Sequence, residues 1–248
     1  MAQPTDDERL TKDQRREQAR REREQLQRKT AASRRNRRIF VGIALVVVIG
    51  LIAFFLTRPE PVRADPEELL RGASQAAAEA GCDEPTDVGP YQPEDQDQTH
   101  VPTDAMPPLA SYPSTPAASG PHNEIPLPSG VYDTPPPIDR LIHSLEHGAA
   151  VVWYAPGATG PELQELKTFY EADDVGDRVI VAPYDYPDQG SAGSLPAGIQ
   201  MSLVAWHTVQ GCAQVRLAAA FDFTSSWGAP PFGDRPYLGS APEAGAGF

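Results

Sequence analysis

Apolar residues gather first in one uninterrupted run, Ile39 to Thr57, nineteen residues without a charge. As a helix it would be about 28 Å long, close to the hydrocarbon thickness of a bilayer, which predicts a membrane-spanning helix. Arg34, Arg35, Arg37 and Arg38 crowd its N-terminal side, while only Arg58 and Arg63 follow closely. Short positive flanks stay in the cytoplasm, so the N-terminus is expected inside the plasma membrane and the rest outside. A cleaved signal peptide is the rival reading. Against it, the apolar run is longer than usual, 38 residues precede it, and no small-residue cleavage site directly follows Leu56.

Beyond the run, periodicity returns in pieces. Asp65 suits an N-cap, Pro66 the first helical position and Gly81 a stop, so the residues between them read as a helix. From Pro85 to Pro137 there are fourteen prolines in 53 residues, which excludes regular helix and leaves extended stretches and turns. That segment also carries Tyr91, His100, Met106, Tyr112, His122 and Tyr132, side chains too rich for a spacer, so it is expected to wrap onto a domain. Ile138 to His147 reads as a short helix and Ala149 to Tyr154 as a buried strand. Pro161 to Asp173 reads as an amphipathic helix, with Leu163, Leu166, Phe169 and Tyr170 on one face. Arg178 to Ala182 and Met201 to His207 read as strands and Ala213 to Phe223 as a last helix. The fold class is therefore α+β: one transmembrane helix, then a small extracytoplasmic α+β domain wrapped by a Pro-rich segment. A βαβ pair is expected within it from Ala149 to Ala182.

The predicted organisation is a cytoplasmic basic tail over 1–38, the span over 39–57, a linker and helix over 58–81, an outer domain over 82–226 and a tail over 227–248. Within the outer domain the wrap covers 85–137 and the α+β core 138–226. Charge divides along the same lines. Residues 1–38 carry 13 Lys or Arg against 7 Asp or Glu, and the remainder carries 8 against 27, so the net of -13 splits into +6 inside and -19 outside. Lys12 to Lys29 alternates sign with almost no apolar stripe, which suits a solvated arm rather than a packed element. Acidic residues interrupt every basic cluster except Arg34 to Arg38, so anionic lipid head groups are the expected partner there, and no nucleic acid.

Cys82 and Cys212 are the two cysteines, 130 residues apart. In an oxidising compartment they most simply form one disulfide; a redox-active pair would ordinarily sit closer in sequence. All five histidines, His100, His122, His143, His147 and His207, follow the span. His143 and His147 are four apart on the predicted helix, share a face, and lie beside Glu146, which points to a metal; the bland alternative is two histidines bonded to backbone. His-x-x-Glu-His is also the signature of zinc peptidases whose two histidines hold the ion while the glutamate activates water. The predicted helix is short for that chemistry, and Glu162 and Glu165 are the nearby candidates for a third ligand.

Ser119-Gly-Pro-His-Asn123, Gly130-Val-Tyr-Asp133, the block from Leu141 through His-Ser-Leu-Glu-His-Gly to Pro156, Ala205-Trp206 and Cys212 together resemble the family called domain of unknown function 3105. The resemblance runs from about Gly81 to Phe223. It implies a membrane-anchored protein, bacterial and often actinobacterial, and it implies architecture without an activity. It raises His122, His143 and His147 above the other histidines, with His100 at the edge. One departure is His207, which follows Trp206 where the family leads one to expect Gly. With His100 or Met106 completing it, the set mixes imidazole with a thioether and suits copper, or zinc where Met106 is left out. A metal site requires the nitrogens of His122, His143 and His147 to converge within about 4 Å of a common point. Histidines turned into separate hydrogen bonds would instead favour a structural envelope module that docks an unknown protein partner through the wrap and its tyrosines.

Overall fold

Alternation along the strands sorts the sheet's side chains onto two faces, and each face has its own cover. The computed structural model describes residues 20, 21, 40, 41, 43, 44, 47–49 and 63–247. The chain divides into two compact units, Met1–Glu60 and Pro61–Phe248. The second contains a six-stranded sheet built from β1 (Thr86–Asp87), β2 (Gly130–Val131), β3 (Ala150–Tyr154), β4 (Val179–Pro183), β5 (Met201–Ala205) and β6 (Thr208–Cys212). Its spatial order is β1-β6-β5-β3-β4-β2. β3 pairs parallel with β4 and antiparallel with β5, and β2 joins β4 in parallel.

Five α-helices accompany the sheet among the described residues of the second unit: α1 (Pro66–Glu79), α2 (Ile138–Glu146), α3 (Pro161–Tyr170), α4 (Asp173–Gly176) and α5 (Leu217–Trp227). The Asp65 carboxylate accepts the Glu68 N–H at 2.9 Å and Pro66 opens the first turn of α1, so that helix starts where its cap and proline predict. The first face of the sheet, Val152, Tyr154, Val179, Val181, Met201 and Leu203, packs against Leu163, Leu166 and Phe169 of α3 and Leu217 and Phe221 of α5. The second face, Val151, Trp153, Ile180, Ala182, Val204 and Trp206, packs against Leu141, Ile142 and Leu145 of α2. Tyr91, Leu109, Tyr112 and Leu127 of the Pro-rich segment extend that second core, so the segment does wrap the domain. Tyr91 and Tyr112, expected to be exposed for docking, are buried, at 7% and 6% exposure. The path from β3 through α3 and α4 to β4 is the expected βαβ pair.

Three segments depart from expectation. The strand expected through His207 stops at Ala205, because Trp206 and His207 form a two-residue turn and the chain returns as β6. The last helix, expected over 213–223, starts at Leu217 and ends at Trp227. The residues after it, expected as a tail, have no regular structure but bond back onto the core: Ala229 N–H to the Gly148 carbonyl at 2.9 Å and Glu243 N–H to the Glu146 carbonyl at 3.1 Å. Gly148 must be glycine for this contact. Its φ is +91°, and a Cβ there would lie 2.7 Å from the Ala229 Cβ. The predicted membrane span falls mostly outside the described residues, as do the basic tail apart from Arg20 and Arg21 and the cluster Arg34 to Arg38. Among the described residues no helix is long and apolar enough to cross a membrane.

His207 takes φ of 60°, the left-handed region in which glycine is comfortable, and this accounts for the glycine expected after Trp206. Its ring also compensates, because Nε2 pairs with the Asp97 Oδ2 at 2.7 Å. Burial pushes the Asp97 carboxyl up, but hydrogen bonds from His207 and the Tyr91 N–H outweigh burial and hold it below the usual aspartate range. A depressed folded pKa contributes stability that is present above the ordinary aspartate value and is lost as pH falls through the folded one. Asp97→Asn should cost about 1.5–3 kcal/mol at pH 7 and flatten the stability profile in the acid range, read by urea unfolding. His207→Gly should destabilise the wild type yet stabilise the Asp97→Asn background by about 0.5–1 kcal/mol, since only the strain is left to relieve. The same sign in both backgrounds would refute the compensation.

Candidate metal centre

His100 and His122 come from the wrap, and His143 and Glu146 from α2. A parallel bridge sets the first two side by side: His122 N–H donates to the Thr99 carbonyl at 3.0 Å and Val101 N–H to the His122 carbonyl at 2.7 Å. Gly120, two residues earlier, has φ of +108°, and a Cβ would sit 2.8 Å from the Tyr112 ring, so the wrap passes the tyrosines only as glycine. On α2 His143 and Glu146 are three apart and face the same way. The four side chains meet at this corner, and one donor atom from each lies within 4.8 Å of the others. His100 stacks on His143 with ring centroids 4.8 Å apart, and His122 meets both rings edge-on.

The hydrogen bonds fix which nitrogens turn inward. His122 Nδ1 lies 2.7 Å from the Gly120 carbonyl and His143 Nδ1 lies 2.7 Å from the Asn123 carbonyl. A carbonyl only accepts, so both rings carry their proton on Nδ1, and when neutral each turns an Nε2 lone pair inward. His122 Nε2 then faces the Glu146 Oε2 at 3.0 Å, and His100 Nε2 stands 3.4 Å from the same oxygen. A lone pair and a carboxylate at that distance repel unless a cation lies between them, either a proton or a metal ion. Burial pushes the Glu146 carboxyl up, but hydrogen bonding to His122 and the potential of His122, His100 and His143 outweigh it, leaving the carboxyl below the usual range. Burial lowers the His143 pKa and the neighbouring histidines add to this, against the Asn123 carbonyl. A charged carboxylate and a neutral imidazole are the forms that metals take.

Of the residues singled out by sequence, His122 and His143 enter the cluster and His147 stands beside it. His147 Nε2 is 2.9 Å from His143 Nε2 and 3.1 Å from the Glu243 carboxylate, and its Nδ1 is 3.2 Å from the Gly247 carbonyl. His100, expected at the edge, contributes a donor, and so does Glu146, expected only in support. The Met106 sulfur lies 3.8 Å from the Tyr112 hydroxyl. Cys82 and Cys212 form the disulfide. The peptidase arrangement loses its third ligand: Glu162 pairs with Arg216 at 3.1 Å, and both Glu162 and Glu165 belong to α3, which packs on the sheet face opposite α2. Glu243, which no spacing in the sequence links to the histidine block, was missed.

The family described as Protein of unknown function (DUF3105) matches residues 105–234, just over half of the chain. The chain belongs to the DUF3105 family. Within the DUF3105 match lie His122, His143 and Glu146, whereas His100 precedes it and Glu243 follows it. No curated protein and no solved structure matches the chain.

Proposed function

We propose that this DUF3105 protein is anchored in the plasma membrane by residues 39–57 and that its outer domain binds one divalent transition-metal ion through His100, His122, His143 and Glu146. The anchor reading is supported by the apolar run and its arginine flank, and by Phe40, Val41, Ile43, Ala44, Val47, Val48 and Ile49, all helical and exposed. The arginines from Arg34 to Arg38 then meet anionic head groups on the cytoplasmic side.

One observation carries the metal reading: His122 turns its Nε2 to the buried Glu146 carboxylate at 3.0 Å while its Nδ1 is held by a backbone carbonyl. Ligating histidines are commonly oriented by such an outer hydrogen bond, and His143 repeats the pattern. Three imidazoles and one carboxylate suit zinc or Cu(II). The test is calorimetric titration of the full-length chain, purified in detergent without a histidine tag, with Zn(II) and Cu(II). Binding of about one equivalent is expected, and failure of both ions to bind would end this reading.

A further inference from the structure

The four donors of the proposed centre are unequally covered. His122, His143 and Glu146 are 0%, 5% and 2% exposed, whereas the His100 side chain is 45% exposed. An ion held among them is therefore walled in by α2 and the wrap and reaches solvent on the His100 side. A groove of about 450 Å³ begins there, lined by His100, Pro102, Thr103, Asn123, Glu124 and Ile125. Its wall is fixed in place: Asn123 Nδ2 donates to the Thr103 hydroxyl at 3.2 Å, the Asn123 side-chain oxygen accepts the Ile125 N–H at 2.9 Å, and Thr103 donates to the buried Asp139 carboxylate. Ile125 stands 54% exposed in this otherwise tethered segment.

Charge narrows what the groove would deliver. A divalent ion with three neutral imidazoles and one carboxylate keeps a net charge of +1 in a largely buried site, where uncompensated charge is costly. A single negative charge neutralises it; a second would leave the site negative beside Glu124. We propose that the ion keeps one exchangeable coordination position facing His100, and that the groove admits a small monoanion with an oxygen or nitrogen donor. This rests on the metal reading, and the test separates the two.

The full-length protein loaded with Co(II), whose visible bands report coordination, is titrated with sodium azide at constant ionic strength. Azide should change the bands saturably with a stoichiometry of about one. Ile125→Trp, which fills the groove mouth without removing a donor, should weaken azide about tenfold or more while changing cobalt affinity less than about twofold. Glu124→Gln should tighten azide by about two- to fivefold, an effect that salt reduces. Cobalt bands that appear but do not respond to azide overturn the open position with the metal reading intact. A response that Ile125→Trp leaves unchanged overturns the groove as its route. Cobalt that does not bind at all overturns the metal reading, and this inference with it.

Discussion

Replacing Glu146 by Gln together with His122 by Ala is expected to weaken metal binding by more than about 100-fold, while His147→Ala changes it by less than about tenfold. The contrast follows from which atoms point inward. Glu146 and His122 supply two of the four gathered donors, and both are almost wholly buried, so neither can be replaced by water without opening the corner between α2 and the wrap. His147 touches the cluster through His143 and also meets Glu243 and Gly247, which lie outside it. The measurement is competitive titration against a chelator of known affinity, with circular dichroism to confirm that each variant keeps its helices and strands. Loss of binding in His147→Ala with retention in the double variant would reverse the assignment. It would return the ligands to the helical pair that residue spacing alone suggests.

Loss of the Cys82–Cys212 bridge should be the largest effect on stability. Cys82 follows α1 directly, Cys212 ends β6, and the two residues face each other across an isolated antiparallel bridge at the sheet margin. The bond closes a loop of 130 residues, and cross-links of such length restrict the unfolded chain by about 4–5 kcal/mol in the loop-entropy account. Measured values run lower, so Cys82→Ala with Cys212→Ala should lower unfolding free energy by about 2–5 kcal/mol. Urea unfolding monitored by the tryptophans reads this directly, since Trp153 and Trp206 are both buried. A midpoint unchanged from that of the oxidised wild type would mean that α1 and β6 hold together without the bond.

The elements legible in the sequence were those whose pattern had a single local cause. Asp65, Pro66 and the two glutamates after it mark the start of α1, and the Val-Val-Trp-Tyr run marks β3. The hairpin from β5 to β6 was hidden because its turn is Trp206-His207, with neither Gly nor Asn, and because β6 is buried only at Thr208 and Cys212. The final helix starts four residues later than expected, because Ala213, Val215 and Leu217 continue an apolar pattern although the backbone turns helical only at Leu217. His143 and Glu146 were legible as one face of a helix. Their partners were not, because His100 and His122 reach the site through wrap geometry, two proline-rich stretches brought side by side by a bridge of a few hydrogen bonds. No period in sequence encodes that contact.

That bridge gives the proposed ion a role apart from chemistry. Two donors sit on the proline-rich wrap, joined there by an isolated bridge, and two on a helix of the core, so an ion bound to all four is a removable rivet between them. By mass action an ion at 100 times its dissociation constant would add about 2.7 kcal/mol to the folded form. That increment falls where the wrap meets the core, leaving the sheet's far face, with α1, α3 and α5, to its own packing. Metal supply would then set how tightly the proline-rich collar is fastened.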